Sequence, residues 1–209
     1  MQYKFICIEG NIGAGKTSLS QRIAADFNAR LVLEEFSNNP FLPKFYKEPK
    51  KYAFPLELFF MAERYKQIKT VTEQDLFSEF KVSDYYFVKS RIFAQNNLSL
   101  DEVQLFYLLF DIMFSSLPKP DLLVYLYADI TTLQRNIKKR ARTYEQNISD
   151  KYLSNIQERY LDFFRKQNDF PVLIIDVTSV DFVKNTSDYC KIVDAIKEHY
   201  SEGIHRVIL

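Results

Sequence analysis

The chain has 209 residues, long enough to bury a full core, and is expected to form one domain over residues 1–209. Apolar residues make up 47% and aromatics 16%, with 19 Phe and 14 Tyr, a composition far from that of disordered chains. The formal charge of +1 and two widely spaced cysteines, Cys7 and Cys190, argue against a polynucleotide partner, a disulfide framework or a zinc site.

"YKFICIEG" (Tyr3 to Gly10) alternates into a short apolar run and reads as a buried strand. It leaves no room for a signal peptide, and no apolar run nears the roughly 18 residues of a membrane span, so a soluble, cytoplasmic protein is expected. The strand runs into a glycine cluster. Gly10, Gly13 and Gly15 are three of the chain's four glycines, and Gly10, Gly15, Lys16 and Thr17 fit G-x-x-x-x-G-K-[ST]. With Asn11, Ile12, Ala14 and Ser18 they form a phosphate-binding loop. Glycine lets the main chain pass close to an anion, and the next helix, "KTSLSQRIAADF", points its positive end at the same place.

"RLVLEE" (Arg30 to Glu35) reads as a second strand and Ala53 to Lys69 as a helix. A third strand falls at Phe80 to Ser83, followed by helices over Phe87 to Asn96 and Leu100 to Ser115. "DLLVYLYAD" (Asp121 to Asp129) and "PVLIIDV" (Pro171 to Val177) are the clearest remaining strands. Helices over Thr131 to Ala141, Ser149 to Asn168 and Ser187 to His199 surround them. Strands alternating with helices predict an α/β fold: a five-stranded parallel sheet covered on both faces, with ligands at the carboxyl ends of the strands.

A phosphate-binding loop alone does not name a reaction. GTP-binding switches also need D-x-x-G and N-K-x-D, which the sequence lacks, and motors bring more chain, so a small-molecule kinase is favoured. Phosphoryl transfer then requires a base at the acceptor hydroxyl, a metal carboxylate and cations on the transferred group. Glu34 and Glu35 end the second strand, where alternation lets only one face the site. Asp84 ends the third strand, placed to hold Mg²⁺ beside the Thr17 hydroxyl. In "KKRARTYEQ", Arg140 and Arg142 lie just beyond a helix, where they can close over phosphates as a short lid.

These residues resemble the deoxyribonucleoside kinase family, bacterial deoxyadenosine and deoxyguanosine kinases in particular. The likeness runs through "IEGNIGAGKTSL", "LEEFSNNPFLPKFYKEP", "YAFPLELFFMAERY", "SRIFA", "KPDLLVYLYAD" and "IKKRARTYEQNISDKYL", in family order. It implies a P-loop kinase fold and transfer of the γ-phosphoryl of ATP, with Mg²⁺, to the 5′-hydroxyl of a deoxyribonucleoside by a homodimer. By resemblance, Glu34 is the base, and Tyr46 and Glu145 hold the sugar 3′-hydroxyl. Leu56, Glu57 and Arg64 lie on the base side, Phe93 stacks on the nucleobase, and Asp181 and Phe182 belong to the loop around the adenine of ATP.

Two departures stand out. The arginine that the family carries after the strand-three acid is missing from "SDYYFVKSRIFA", and Lys89 and Arg91, on the next helix turns, are the candidates to replace it. Glu57 stands where the family has glutamine. As an ionised group it only accepts hydrogen bonds, with Arg64 expected to restore a donor two helical turns away. That pair suits adenine, guanine or cytosine and suits thymine least, and purines are favoured by the resemblance. Other readings are a thymidylate-kinase-type monophosphate kinase, which would need arginine where Glu34 stands, and a non-catalytic nucleotide-binding protein, which leaves Glu34, Tyr46 and Glu145 unexplained.

Overall fold

A computed structural model describes residues 1–35, 39–72 and 77–209; positions 36–38 of the "LEEFSNNPF" stretch lie outside the described residues. The described strands are β1 (Phe5–Gly10), β2 (Arg30–Val32), β3 (Lys81–Ser83), β4 (Leu122–Tyr127), β5 (Pro171–Asp176) and β6 (Gly203–Ile208). They form one parallel sheet in the order β2-β3-β1-β4-β5-β6. The helices are α1 (Lys16–Asp26), α2 (Leu42–Phe45), α3 (Pro49–Lys69), α4 (Val88–Asn97), α5 (Leu100–Phe114), α6 (Ile130–Arg140), α7 (Asp150–Lys166) and α8 (Thr186–Lys197).

The central strand explains the layering. All six residues of β1 are buried, as a parallel strand covered on both faces requires. Alternation then divides its side chains: Ile6 and Ile8 pack with Leu19 of α1, Leu133 of α6 and Ile192 of α8, while Phe5 and Cys7 pack with Met61 of α3, Phe106 of α5 and Tyr160 of α7. β4 repeats the division, with Leu122, Val124 and Leu126 on the first face and Leu123 and Tyr125 on the second. β1 is flanked by β3 on one side and β4 on the other, so the connections diverge there and leave a crevice beyond its carboxyl end.

The sheet has six strands rather than the five expected. The unread strand, β6, is an edge strand whose residues alternate between half-buried and exposed and include His205 and Arg206. Its place depends on the backbone ladder to β5, from Pro171 opposite Gly203 to Asp176 opposite Ile208, and an apolar periodicity is therefore weak in its sequence. The second strand stops at Val32, before the expected Glu35, and α3 begins at Pro49, ahead of the expected Ala53. Proline at the first helical position loses no hydrogen bond, because that N–H has no partner within a helix. Among the described residues, no helix is long and apolar enough to cross a membrane.

Candidate active site

The loop between β1 and α1 is held from three sides. Asn11 accepts from the Ile12 N–H at 2.8 Å and donates through Nδ2 to the Leu153 carbonyl at 2.8 Å. Asn136 of α6 donates to the Gly13 carbonyl at 2.9 Å. Gly15, at φ +90°, is the N-cap of α1, and a Cβ there would stand 2.6 Å from the Phe182 ring. Glycine therefore serves both the backbone turn and the approach of Phe182, which brings the Asp181–Phe182 loop against the phosphate loop. With no side chain to cap it, the N-terminus of α1 leaves its amides to an anion. Ala14, within the loop, is buried, and Ser18 is exposed on the first turn of the helix.

Lys16 folds back over this loop, its Nζ donating to the Gly10 and Asn11 carbonyls at 2.9 Å each. Burial, and after it the charge of Lys89, pushes the Lys16 ammonium down to about 8. Thr17 Oγ1 donates to Asp84 Oδ2 at 2.5 Å, while Asp84 Oδ1 accepts the Glu34 N–H at 2.8 Å. A hydroxyl and one carboxylate, side by side next to the phosphate loop, are hard oxygen donors of the kind Mg²⁺ takes together with substrate phosphates and water.

Beyond Asp84 the chain turns into the core. Tyr85, Tyr86 and Phe87 are fully buried, with the Tyr85 hydroxyl on Gln67 at 2.5 Å and the Tyr86 hydroxyl on the Pro118 carbonyl at 3.3 Å. The position after Asp84 is thus a core position, and the next inward-facing cation comes one helical turn later. Lys89 Nζ lies 2.5 Å from Glu34 Oε2. On the other side Arg64 meets Glu34 Oε1 through Nε at 2.8 Å and Nη2 at 2.7 Å, and its Nη1 donates to Ser90 at 2.9 Å. Burial acts to raise the Glu34 pKa, but Lys89 and Arg64 outweigh it and hold the carboxyl well below the usual carboxylate range. Arg91 points elsewhere: its guanidinium lies 4.4 Å from the Tyr107 ring centroid and 3.5 Å from Asp111.

One cavity collects the other candidates. Glu34, Tyr46, Leu56, Glu57, Arg64, Phe93 and Glu145 all line it, together with Lys89, Asn97, Arg142 and Tyr152. The pairing on the base side differs from the expected one. Arg64 bonds to Glu34 and Ser90, and the partner of Glu57 is Asn97, whose Nδ2 donates to Oε1 at 2.7 Å. Between α6 and α7, Ala141 turns the chain at φ +56° into a short 3₁₀ turn, Thr143–Glu145. Glu145 there takes Arg140 on Oε2 and Arg142 on Oε1, the latter at 3.2 Å. Tyr46 packs its ring on Tyr144 with centroids 5.6 Å apart, and burial raises its phenol pKa so that it stays a neutral hydroxyl.

Two residues were not legible as site residues, Glu9 and Asn97, while Lys89 was legible only as one of two candidates. Glu9 is fully buried and accepts from the Tyr86 N–H at 2.7 Å and the Tyr160 hydroxyl at 2.8 Å, tying the end of β1 to the exit of β3 and to α7. Burial raises its pKa, with Lys89 and Lys16 acting against that rise. An acid next to last in the apolar run "FICIEG" was the available signal.

Known proteins bear on this arrangement at three levels. The chain is 35% identical over 199 residues to the deoxyguanosine kinase of Bacillus subtilis (strain 168), covering 93% of this chain and 96% of that protein. It is 29% identical over 198 residues to the deoxyadenosine/deoxycytidine kinase of the same organism, covering 91% and 90%. Among solved structures, deoxyadenosine kinase from M. mycoides, with products dCMP and a flexible dCDP bound, aligns with a TM-score of 0.80 at 25% identity over 92% of this chain and 98% of that one. The family model described as deoxynucleoside kinase matches residues 6–201, so the chain belongs to the deoxynucleoside kinase family.

Proposed function

We propose that this protein, as a single kinase domain in the cytoplasm, transfers the γ-phosphoryl of ATP to the 5′-hydroxyl of a purine deoxyribonucleoside. The observation that carries this reading is the carboxylate of Glu34 between two cations, in a cavity that Ile12 of the phosphate loop also lines. Glu34 accepts the hydroxyl proton, Tyr46 and Glu145 orient the sugar, Leu56 and Phe93 pack on the base, and Glu57 reads its edge. Arg140 and Arg142, aligned by Glu145, stand ready for the phosphates, and the Asp181–Phe182 loop lies on the adenine side. Thr17 and Asp84 would hold Mg²⁺, which neutralises phosphate charge when bound. A monophosphate acceptor would bring its charge against Glu34, which speaks against a monophosphate kinase. Incubation with ATP and each deoxyribonucleoside or monophosphate, with product identification, is expected to give purine 5′-monophosphates fastest and to leave thymidine the poorest nucleoside. Phosphorylation of monophosphates alone would overturn the reading.

Lys16 makes the ATP half testable. A polyphosphate beside a lysine favours its charged form, so nucleotide binding draws a proton onto Lys16, and affinity falls as pH rises through about 8. Calorimetry in buffers of different ionisation enthalpy should show proton uptake near that pH. Lys16→Ala should abolish the uptake and weaken ATP about 10- to 100-fold, the scale of a charge-assisted hydrogen bond. Uptake that survives in the variant would assign the proton to another group.

The homodimer reading is supported by α5, where Leu105, Leu108 and Ile112 are 51%, 65% and 72% exposed on successive turns of one face. Light scattering is expected to give twice the chain mass for the wild type and the chain mass for Leu108→Glu/Ile112→Glu. A monomeric wild type would refute it.

A further inference from the structure

The base-side end of the cavity holds a carboxyl with one oxygen engaged and one left over. Glu57 is 2% exposed; its Oε1 accepts from Asn97 at 2.7 Å, and its Oε2 is buried with no hydrogen-bond partner among the described residues. Asn97 is itself oriented, because its Oδ1 accepts from Asn96 Nδ2 at 3.1 Å, which turns its amide NH₂ toward Glu57. The charged groups that act on Glu57 are Arg64 on its own helix, Glu34 beyond β2, and Lys89 on α4, with the phenol of Tyr152 on α7 also coupled to it. Arg64 and Lys89 are both engaged with Glu34, so among the described residues an amide, and no cation, is the hydrogen-bond partner of Glu57.

A buried polar atom without a partner is costly, so a ligand that supplies one is selected strongly. What it must supply depends on the proton. An ionised carboxylate only accepts and can take two neighbouring donors, whereas a carboxylic acid donates from one oxygen and accepts on the other. Guanine presents N1–H and N2–H₂ side by side, two donors in a row. Adenine presents an amino donor beside a ring-nitrogen acceptor. Thymine, with one imino donor between two carbonyls, gives the carboxylate one donor where guanine gives two, and its imino–carbonyl edge pairs only with the acid.

We propose that Glu57, held by Asn97, selects the purine by its protonation state: the carboxylate takes the paired N1–H and N2–H₂ donors of guanine, and the carboxylic acid takes the amino-donor and ring-acceptor edge of adenine. The assignment rests on the reading that this cavity binds a deoxyribonucleoside with its base at Glu57. Burial, only partly offset by Arg64 and the Asn97 bond, pushes the Glu57 carboxyl up to about 7, which makes both forms accessible near neutrality. Asn97 is a positioning residue. Its hydrogen bond favours the charged form of Glu57, so its loss shifts the balance toward the acid.

The test is the ratio of kcat/KM for deoxyguanosine to that for deoxyadenosine, from about pH 6 to about pH 8.5. Ionisations shared by both reactions, such as that of Lys16, cancel in this ratio. In the wild type it is expected to rise about tenfold or more with pH, along one ionisation curve centred near 7. Asn97→Ala should move the curve to higher pH, and Glu57→Gln should flatten it. Deoxyinosine, which lacks the 2-amino group, should fall about tenfold behind deoxyguanosine at the alkaline end, with that gap closing in Glu57→Gln. A wild-type ratio independent of pH, or a slope unchanged in Glu57→Gln, overturns the proposal while leaving the kinase reading standing. No turnover of any deoxyribonucleoside would overturn both.

Discussion

Glu34→Gln is expected to keep deoxyribonucleoside binding and to lose 10²- to 10⁴-fold in turnover, the usual cost of removing a general base. Glutamine preserves the shape and one acceptor but takes away the proton acceptor and the negative charge between Lys89 and Arg64. Those cations make Glu34 a weak base. Phosphoryl transfer tolerates this, because its transition state is loose and depends more on position and charge than on early deprotonation of the nucleophile. The same cations keep the carboxyl ionised, so the wild-type rate should not fall through Glu34 titration as pH drops toward about 4, the ordinary glutamate value. A near-normal rate for Glu34→Gln, with Glu35→Gln impaired instead, would reassign the base. The structure sets the two apart: Glu35 is exposed, whereas Glu34 faces the cavity.

What the sequence disclosed follows from how local each signal is. β1, the phosphate loop and α1 were legible because an apolar run, three glycines and a helical face sit within about two dozen residues and need no distant partner. The seven substrate-side candidates share one cavity, but their pairings came from tertiary packing. Glu57 and Arg64 do share a helical face, yet seven residues of helix are about 10 Å of axis. Arg64 therefore reaches across to Glu34 beyond β2, and the end of α4 supplies Asn97 to Glu57. β6 was missed because an edge strand relies on the backbone ladder of its neighbour more than on its own side chains.

Lys89 is the clearest case of a residue that only the fold could choose. Helical spacing left Lys89 and Arg91 as equal candidates; the burial of Tyr85, Tyr86 and Phe87 turns α4 so that Lys89 enters the cavity and Arg91 lies on Tyr107. Lys89→Ala is therefore expected to lower kcat about 10²- to 10³-fold, the cost of removing one preorganised charge from a phosphoryl or oxyanion site. The nucleoside KM should change much less, because the residues proposed to contact the sugar and base lie elsewhere in the cavity. A second signature comes from Glu34. Lys89 is the largest influence holding that carboxyl down, so without it burial raises the Glu34 pKa, and the acid limb of the pH–rate profile moves upward from its wild-type position. Lys89→Arg should restore both the rate and the limb, whereas Lys89→Met, which keeps the packing without the charge, should behave as Lys89→Ala. A variant that loses nucleoside affinity with kcat and pH profile intact would make Lys89 a binding residue alone. Recovery in Lys89→Met would show that its stem, rather than its charge, matters to the reaction.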